Sequence, residues 1–157
     1  MDSEKYGEEY REHLLEQYKL YVQIMDNTSV QRGNINKFYI SVLAFLLTLI
    51  SIFINNNFSN LIIFIVSLMG LLLCFTWYKN IESFRQLNSG RFQVIHEMEK
   101  ELPFNCFDKE WEYLKKGNGE NYTRLTKIEK YVPLYLSIPY VFILLYYIVE
   151  FFLFLKG

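Results

Sequence analysis

The chain has 157 residues, 52% hydrophobic and 18% aromatic, with 16 basic against 17 acidic side chains and a formal net charge of −1. That length is one domain's worth, and the balanced charge excludes the basic field that duplex nucleic acid requires. The apolar residues are not spread as in a globular core: they gather in runs of 17 (Phe38–Ile54), 18 (Leu61–Tyr78) and 25 residues (Tyr131–Leu155), the last with Glu150 as its one charged residue.

In chain order, residues 3–26 read as a cytoplasmic amphipathic helix. Tyr10, Leu14, Leu15, Tyr18, Val22 and Met25 recur at steps of one helical face, with acids at the start. Asp26-Asn27-Thr28-Ser29 is rich in capping residues and predicts a break. A second helix is expected from Val30 to Ile54. Between Lys37 and Lys79 stand 41 residues without a charge, divided by Asn55-Asn56-Asn57-Phe58-Ser59-Asn60. Each half matches the roughly 17–25 apolar residues that cross a bilayer, so the stretch predicts a transmembrane hairpin with a polar tip. The apolar rhythm continues at Ile81, Phe84, Ile95, Met98 and Leu102, predicting one long helix from about Asn60 to Glu101. Gly90 is its expected bend point and Pro103 its stop. Asp108 is expected to cap a short helix through Lys116, which Gly117 and Gly119 end. Thr126-Lys127-Ile128-Glu129 reads as a capping box opening the third span. Pro133 falls in its first turns, and Pro139 should kink it.

The expected fold is therefore an all-α membrane protein with three transmembrane helices. Residues 1–29 form an N-terminal helix, 30–78 the hairpin, 79–130 a cytoplasmic helical segment and 131–157 the third span. No signal peptide is expected, because the first apolar run follows 37 largely charged residues. Arg32 and Lys37 precede the first span, Lys79, Arg85 and Arg91 follow the second, and Arg124, Lys127 and Lys130 precede the third. The positive-inside rule places the N-terminus and 79–130 in the cytoplasm, and the 55–60 tip and C-terminus outside. Cys74 in lipid and Cys106 in a polar segment are read as free thiols. His13 and His96 lack partners at metal spacing. No nucleophile–base set, phosphate loop or metal motif is present, so neither an enzyme nor a cofactor is expected.

Four features bear on function. Ser41, Ala44, Thr48, Ser51 and Asn55 share one face of the first span, suiting either close helix packing or a water-facing pore wall. Glu150 is an intramembrane carboxylate: an interfacial residue or a partner of Lys156 on one reading, part of a carboxylate ring lining a cation path on the other. Arg85, Asn88 and Arg91 share a face of the long helix, with Arg124, Lys127 and Lys130 near the bilayer. They suit anchoring on anionic lipid, or holding an anionic ligand such as a nucleotide or short oligonucleotide, with Phe84, Phe92 and Trp111 as stacking faces. The third span, dense in Tyr and Phe, suits a lipid-facing outer layer.

A series of positions is familiar as a set. One stretch is Trp77, Ile81-Glu82-Ser83-Phe84-Arg85-Gln86-Leu87-Asn88-Ser89-Gly90-Arg91-Phe92-Gln93-Val94-Ile95, Glu99, Leu102-Pro103, Glu110-Trp111 and Leu114. It continues at Tyr122, Leu125-Thr126, Glu129 and Pro133 and is preceded by Tyr18, Tyr21-Val22, Asp26, Ser29, Arg32 and Asn36. Together these resemble the RipA family of small bacterial inner-membrane proteins, described as octameric. Gly33 departs from the second basic residue expected beside Arg32. The resemblance implies a homo-oligomer in the lipid bilayer. By analogy of class, such proteins resemble membrane effectors of anti-phage systems, whose pores answer to a nucleotide made by a partner enzyme. The leading expectation is an oligomeric channel or pore-forming effector gated at a cytoplasmic crown. The alternative is a non-conducting membrane scaffold that recruits a soluble cytoplasmic partner.

Overall fold

The computed structural model of the chain describes residues 6–114 and 125–156. Its helices are α1 (Tyr10–Asn55), α2 (Asn60–Glu99), α3 (Cys106–Tyr113), α4 (Leu125–Glu129) and α5 (Tyr131–Lys156), with no strand among the described residues. α1, α2 and the stretch Leu125–Leu153 are each long and apolar enough to cross a membrane. The chain forms two compact units. We call Met1–Arg32 with Ser83–Arg124 the polar unit, and Gly33–Glu82 with Leu125–Gly157 the spanning unit.

The break expected at Asp26–Ser29 does not occur, and α1 runs through it. The reason is local. Thr28 Oγ1 donates to the Ile24 carbonyl at 2.8 Å and Ser29 Oγ to the Met25 carbonyl at 3.2 Å. Hydroxyls that bond back to their own turn no longer compete with the helix for its N–H groups. α2 ends at Glu99, and turns closed by Glu101 N to Met98 O (3.1 Å) and Leu102 N to Glu99 O (3.1 Å) lead into Pro103.

In the spanning unit the hairpin tip is a Schellman closure. Phe58 N donates to Phe53 O at 3.0 Å and Asn57 N to Ile54 O at 3.2 Å. Asn57 takes the left-handed conformation (φ 52°), which Asn tolerates better than most side chains. The Phe53 and Phe58 rings, 4.8 Å apart, supply the apolar contact of that motif.

The spanning core is Leu43, Ile50, Ile63, Trp77, Ile81 and Tyr140, all nearly inaccessible. Tyr140 joins three helices. Its hydroxyl donates to the Leu43 carbonyl of α1 at 2.5 Å, and its ring lies against Gly70 of α2 so closely that a Cβ there would stand 2.3 Å from the ring. Where the charged flanks begin, Tyr39 and Trp77 stack at 5.6 Å. Trp77 Nε1 donates to Asn36 Oδ1 (2.8 Å), and Asn80 Nδ2 to Tyr39 Oη (2.8 Å). Lys130 pairs with Glu82 and lies over the Tyr78 ring.

Two further expectations are corrected here. The box at Thr126–Glu129 is not a cap. It forms the short α4, with Thr126 inside it, and α5 starts separately at Tyr131. Glu129 is drawn away from the box: its Oε1 accepts from Asn36 Nδ2 at 3.2 Å. Pro133 is fully buried in the first turn of α5, and the helix continues through Pro139. Asp108 does not cap α3. The N-cap is Asn105, which makes no side-chain cap bond, and Asp108 stands in the first turn. The helix ends at Tyr113; Lys116, Gly117 and Gly119 lie outside the described residues.

The Gly70 contact predicts a contrast. Gly70→Ala should lower stability by about 1–3 kcal/mol, because Tyr140 must leave its site. Gly33→Ala, where a Cβ would meet nothing, should raise stability by roughly 0.5–1 kcal/mol through helix propensity alone. Thermal unfolding of both variants in the same detergent measures the difference.

Candidate functional site

On α1 of the spanning unit, Ser41, Ala44, Thr48, Ser51 and Asn55 are all exposed, while Leu43 and Ile50 between them are buried. The expected stripe is therefore an outer face of this unit. Two of its hydroxyls are satisfied at home: Ser41 Oγ donates to Lys37 O at 2.9 Å and Thr48 Oγ1 to Ala44 O at 3.0 Å. Such a face tolerates water, and it also tolerates a dry helix neighbour.

Glu150 is exposed, and its Oε2 accepts from Asn60 Nδ2 at 3.2 Å. Asn60 opens α2, so the carboxylate stands level with the polar hairpin tip. An open apolar recess lies beside it, lined by Asn60, Leu61, Phe64, Tyr147, Phe151 and others.

The basic set is uneven. In the polar unit, Arg85 is exposed and Asn88 and Arg91 are half-buried. Arg91 Nη1 donates to Thr28 Oγ1, tying α2 to α1 within that unit. The Asn88 side-chain oxygen is buried without a hydrogen-bond partner among the described residues, a state that costs about 1–3 kcal/mol. Lys127 is exposed on α4 of the spanning unit, and Arg124 lies outside the described residues. Among the aromatic faces, Phe92 packs edge-on against Phe107 at 5.9 Å.

Sequence reasoning missed the organising residue of the polar unit. Glu99 is fully buried. Its Oε1 accepts from Tyr18 Oη (3.0 Å) and Phe107 N (2.9 Å), and its Oε2 accepts from Asp108 N (3.2 Å). One carboxylate from the end of α2 thus caps α3 and fastens α1. It faces the positive end of the α3 dipole, where an anion is favoured. His96 adds a contact to Asp108 at 3.2 Å. Burial, followed by the hydrogen bond and the charge of Glu99, pushes the Tyr18 hydroxyl from its ordinary value of 10 up to about 12. Beyond its place among the positions that carry the resemblance, its sequence signal was an acid whose neighbours Ile95 and Met98 continue an apolar rhythm.

No group of His, Cys, Asp and Glu able to hold a metal occurs among the described residues. Cys74 is buried and Cys106 exposed, each as a free thiol. The arrangement offers an uncharged outward helix face, a carboxylate beside the hairpin tip and a basic helix segment.

These features define a multi-span α-helical membrane protein. The family model described as the octameric membrane protein family (8xMP) matches residues 15–149, and the chain belongs to that family. No curated protein and no solved structure matches it.

Two predictions follow from the Glu99 knot. Glu99→Gln should destabilise the polar unit by about 1.5–3 kcal/mol, since an amide cannot accept all three bonds with a full charge. Faster amide hydrogen exchange at Phe107 and Asp108 would report it. Because the Tyr18 value is raised in the folded state, its contribution is complete below pH 10 and is lost as pH rises toward 12. Tyr18→Phe should flatten that part of the stability profile in denaturant titrations.

Proposed function

We propose that this protein is a homo-oligomeric channel or pore-forming effector of the bacterial inner membrane, similar in kind to the RipA family, and serves anti-phage defence rather than catalysis. Its N-terminus and the segment after the second span are cytoplasmic, and the hairpin tip lies outside. A nucleotide or oligonucleotide made by a partner enzyme gates it at the cytoplasmic side. The defence role and the ligand rest on analogy of class.

The observation that carries the conducting part is the outward stripe on α1. On the spanning unit Ser41, Ala44, Thr48, Ser51 and Asn55 are exposed beside Phe38, Phe45 and Ile52, whereas the outward face of α5 is bulky throughout, with Tyr135, Phe142, Tyr146, Phe151 and Phe152. A lipid-facing helix favours the second set, and a helix facing water or close neighbours favours the first. A family whose description is octameric supplies copies to surround a path. For the ligand, the support is narrower. Arg85 is exposed one turn from the half-buried Asn88. Arg91 serves the fold through Thr28.

Planar-bilayer recording with purified protein tests the reading, and an octamer that never conducts, with or without nucleotide, would remove it. In a background of Cys74→Ser and Cys106→Ser, Thr48→Cys should conduct until a thiol-reactive cation blocks it. Arg85→Ala should abolish regulation by added nucleotide and leave particle size unchanged. Gly90, where a Cβ would meet nothing, separates gating from stability. Gly90→Ala should stabilise α2 by roughly 0.5–1 kcal/mol and, if the helix bends there on opening, lower the open probability.

A further inference from the structure

We propose that copies of this chain pack against one another along one face of α1, in a seven-residue register running from Gln17 to Asn55. Two ladders define the register. Asn27, Asn34, Ser41, Thr48 and Asn55 stand seven apart, and each is polar and uncharged. Ile24, Gln31, Phe38, Phe45 and Ile52 form the companion ladder, three residues ahead of the first. Gln17 and Leu20 begin the pattern one seven-residue repeat earlier. Alternating steps of three and four are the seam of helices that wind around each other with a left-handed supercoil.

Every one of these positions is exposed, whichever unit it belongs to. None carries a charge, although α1 holds Glu12, Glu16, Lys19, Asp26, Arg32 and Lys37 at other positions. In the spanning unit, lipid alone accounts for Phe38, Phe45 and Ile52, whose exposures are 60%, 60% and 46%. It does not account for a polar residue at each seventh place beside them.

In the polar unit lipid is no explanation. Leu20 is 59% and Ile24 37% exposed, and both precede the opening of the uncharged run at Phe38. A lone exposed Leu is ordinary on a soluble surface. Here Leu20 and Ile24 alternate with Gln17, Asn27 and Gln31 in the same register that continues through the span. Lipid-facing and solvent-facing helices have no reason to share one seven-residue period. A neighbouring α1 has such a reason, and the octameric family supplies that neighbour. Amides at interior seam positions also fix register and copy number at some cost in stability. The hydroxyls of Ser41 and Thr48, bonded to their own carbonyls, can face either a helix or water.

The inference rests on the family's octameric assembly and not on conduction, but it deepens the pore reading by making α1 the helix nearest the axis. The test uses the full chain in native membrane vesicles, with Cys74→Ser and Cys106→Ser throughout. Single substitutions Asn27→Cys and Asn34→Cys lie in register; Lys19→Cys and Asp26→Cys are exposed but out of register. With a short bifunctional maleimide, the first pair should give dimers and a ladder of larger products severalfold above the second pair. Asn27→Asp should shift the detergent-extracted particle to smaller species by native mass spectrometry, while Asn27→Gln and the out-of-register Asp26→Asn keep its size. Equal cross-linking at both pairs, absent cross-linking at 27 and 34, or a monomeric particle would each overturn the proposal. A particle that cross-links in register and never conducts would sink the pore reading and leave this interface standing.

Discussion

The constraint on which the rest depends is the absence of any charge from Phe38 to Tyr78. A backbone group left unpaired in lipid costs several kcal/mol, so a stretch of that character must answer every N–H and C=O within its own helix. The chain keeps that rule down to its side chains. Ser41, Thr48, Ser67 and Thr76 all donate to the carbonyl four residues back. The reversal at 55–60 closes its free carbonyls by a Schellman pair and spends an Asn, not a Gly, on the left-handed residue.

Such helices gain little from one another by hydrophobic contact, because lipid is as apolar as they are. Shape and a few polar bonds have to hold them. In the spanning unit that role falls to Tyr140, whose ring fills the space Gly70 leaves and whose hydroxyl reaches the Leu43 carbonyl. The polar unit solves a different problem. Its third helix is only eight residues long, too short to be stable alone. Glu99 supplies what α3 lacks, a full negative charge on its first free N–H groups, and the same carboxylate receives Tyr18 from α1. Removing the charge would therefore loosen two attachments at once.

The spans were legible in the sequence because charge is scarce in lipid for a simple energetic reason, and its absence over 41 residues has no competing explanation. The polar tip was legible because four Asn and one Ser among residues 55–60 break an otherwise apolar run. Asp26–Ser29 was misread because Ser and Thr have two uses, capping a helix from outside or bonding back within it, and composition does not choose between them. Thr126–Glu129 failed similarly: the acid of the supposed box bonds Asn36, a residue 93 positions earlier in the chain. Glu99 was illegible in principle, since its three donors come from residues 18, 107 and 108. On the candidate site, the stripe at Ser41–Asn55 was visible as steps of three and four. The uneven standing of Arg85, Asn88 and Arg91 was not, because a helical face says nothing about which member meets Thr28.

The outer faces of the spanning unit are chemically unlike. α5 turns out Tyr135, Phe142 and Tyr146, each more than 60% exposed, and α2 turns out Leu61, Leu72 and Phe75. These bulky faces match acyl chains and need nothing more. The α1 face alternates aromatic or aliphatic residues with Ser, Thr and Asn, a mixture that lipid rewards poorly. An octameric assembly must choose which helices to bury and which to leave on its rim. In the assembly proposed above, α5 stands outside and α1 within. α1 also contributes to both units without a break, its Thr28 and Ser29 bonded inward to their own turn. The helix runs unbroken where a break was expected, and within the polar unit Arg91 holds it at Thr28.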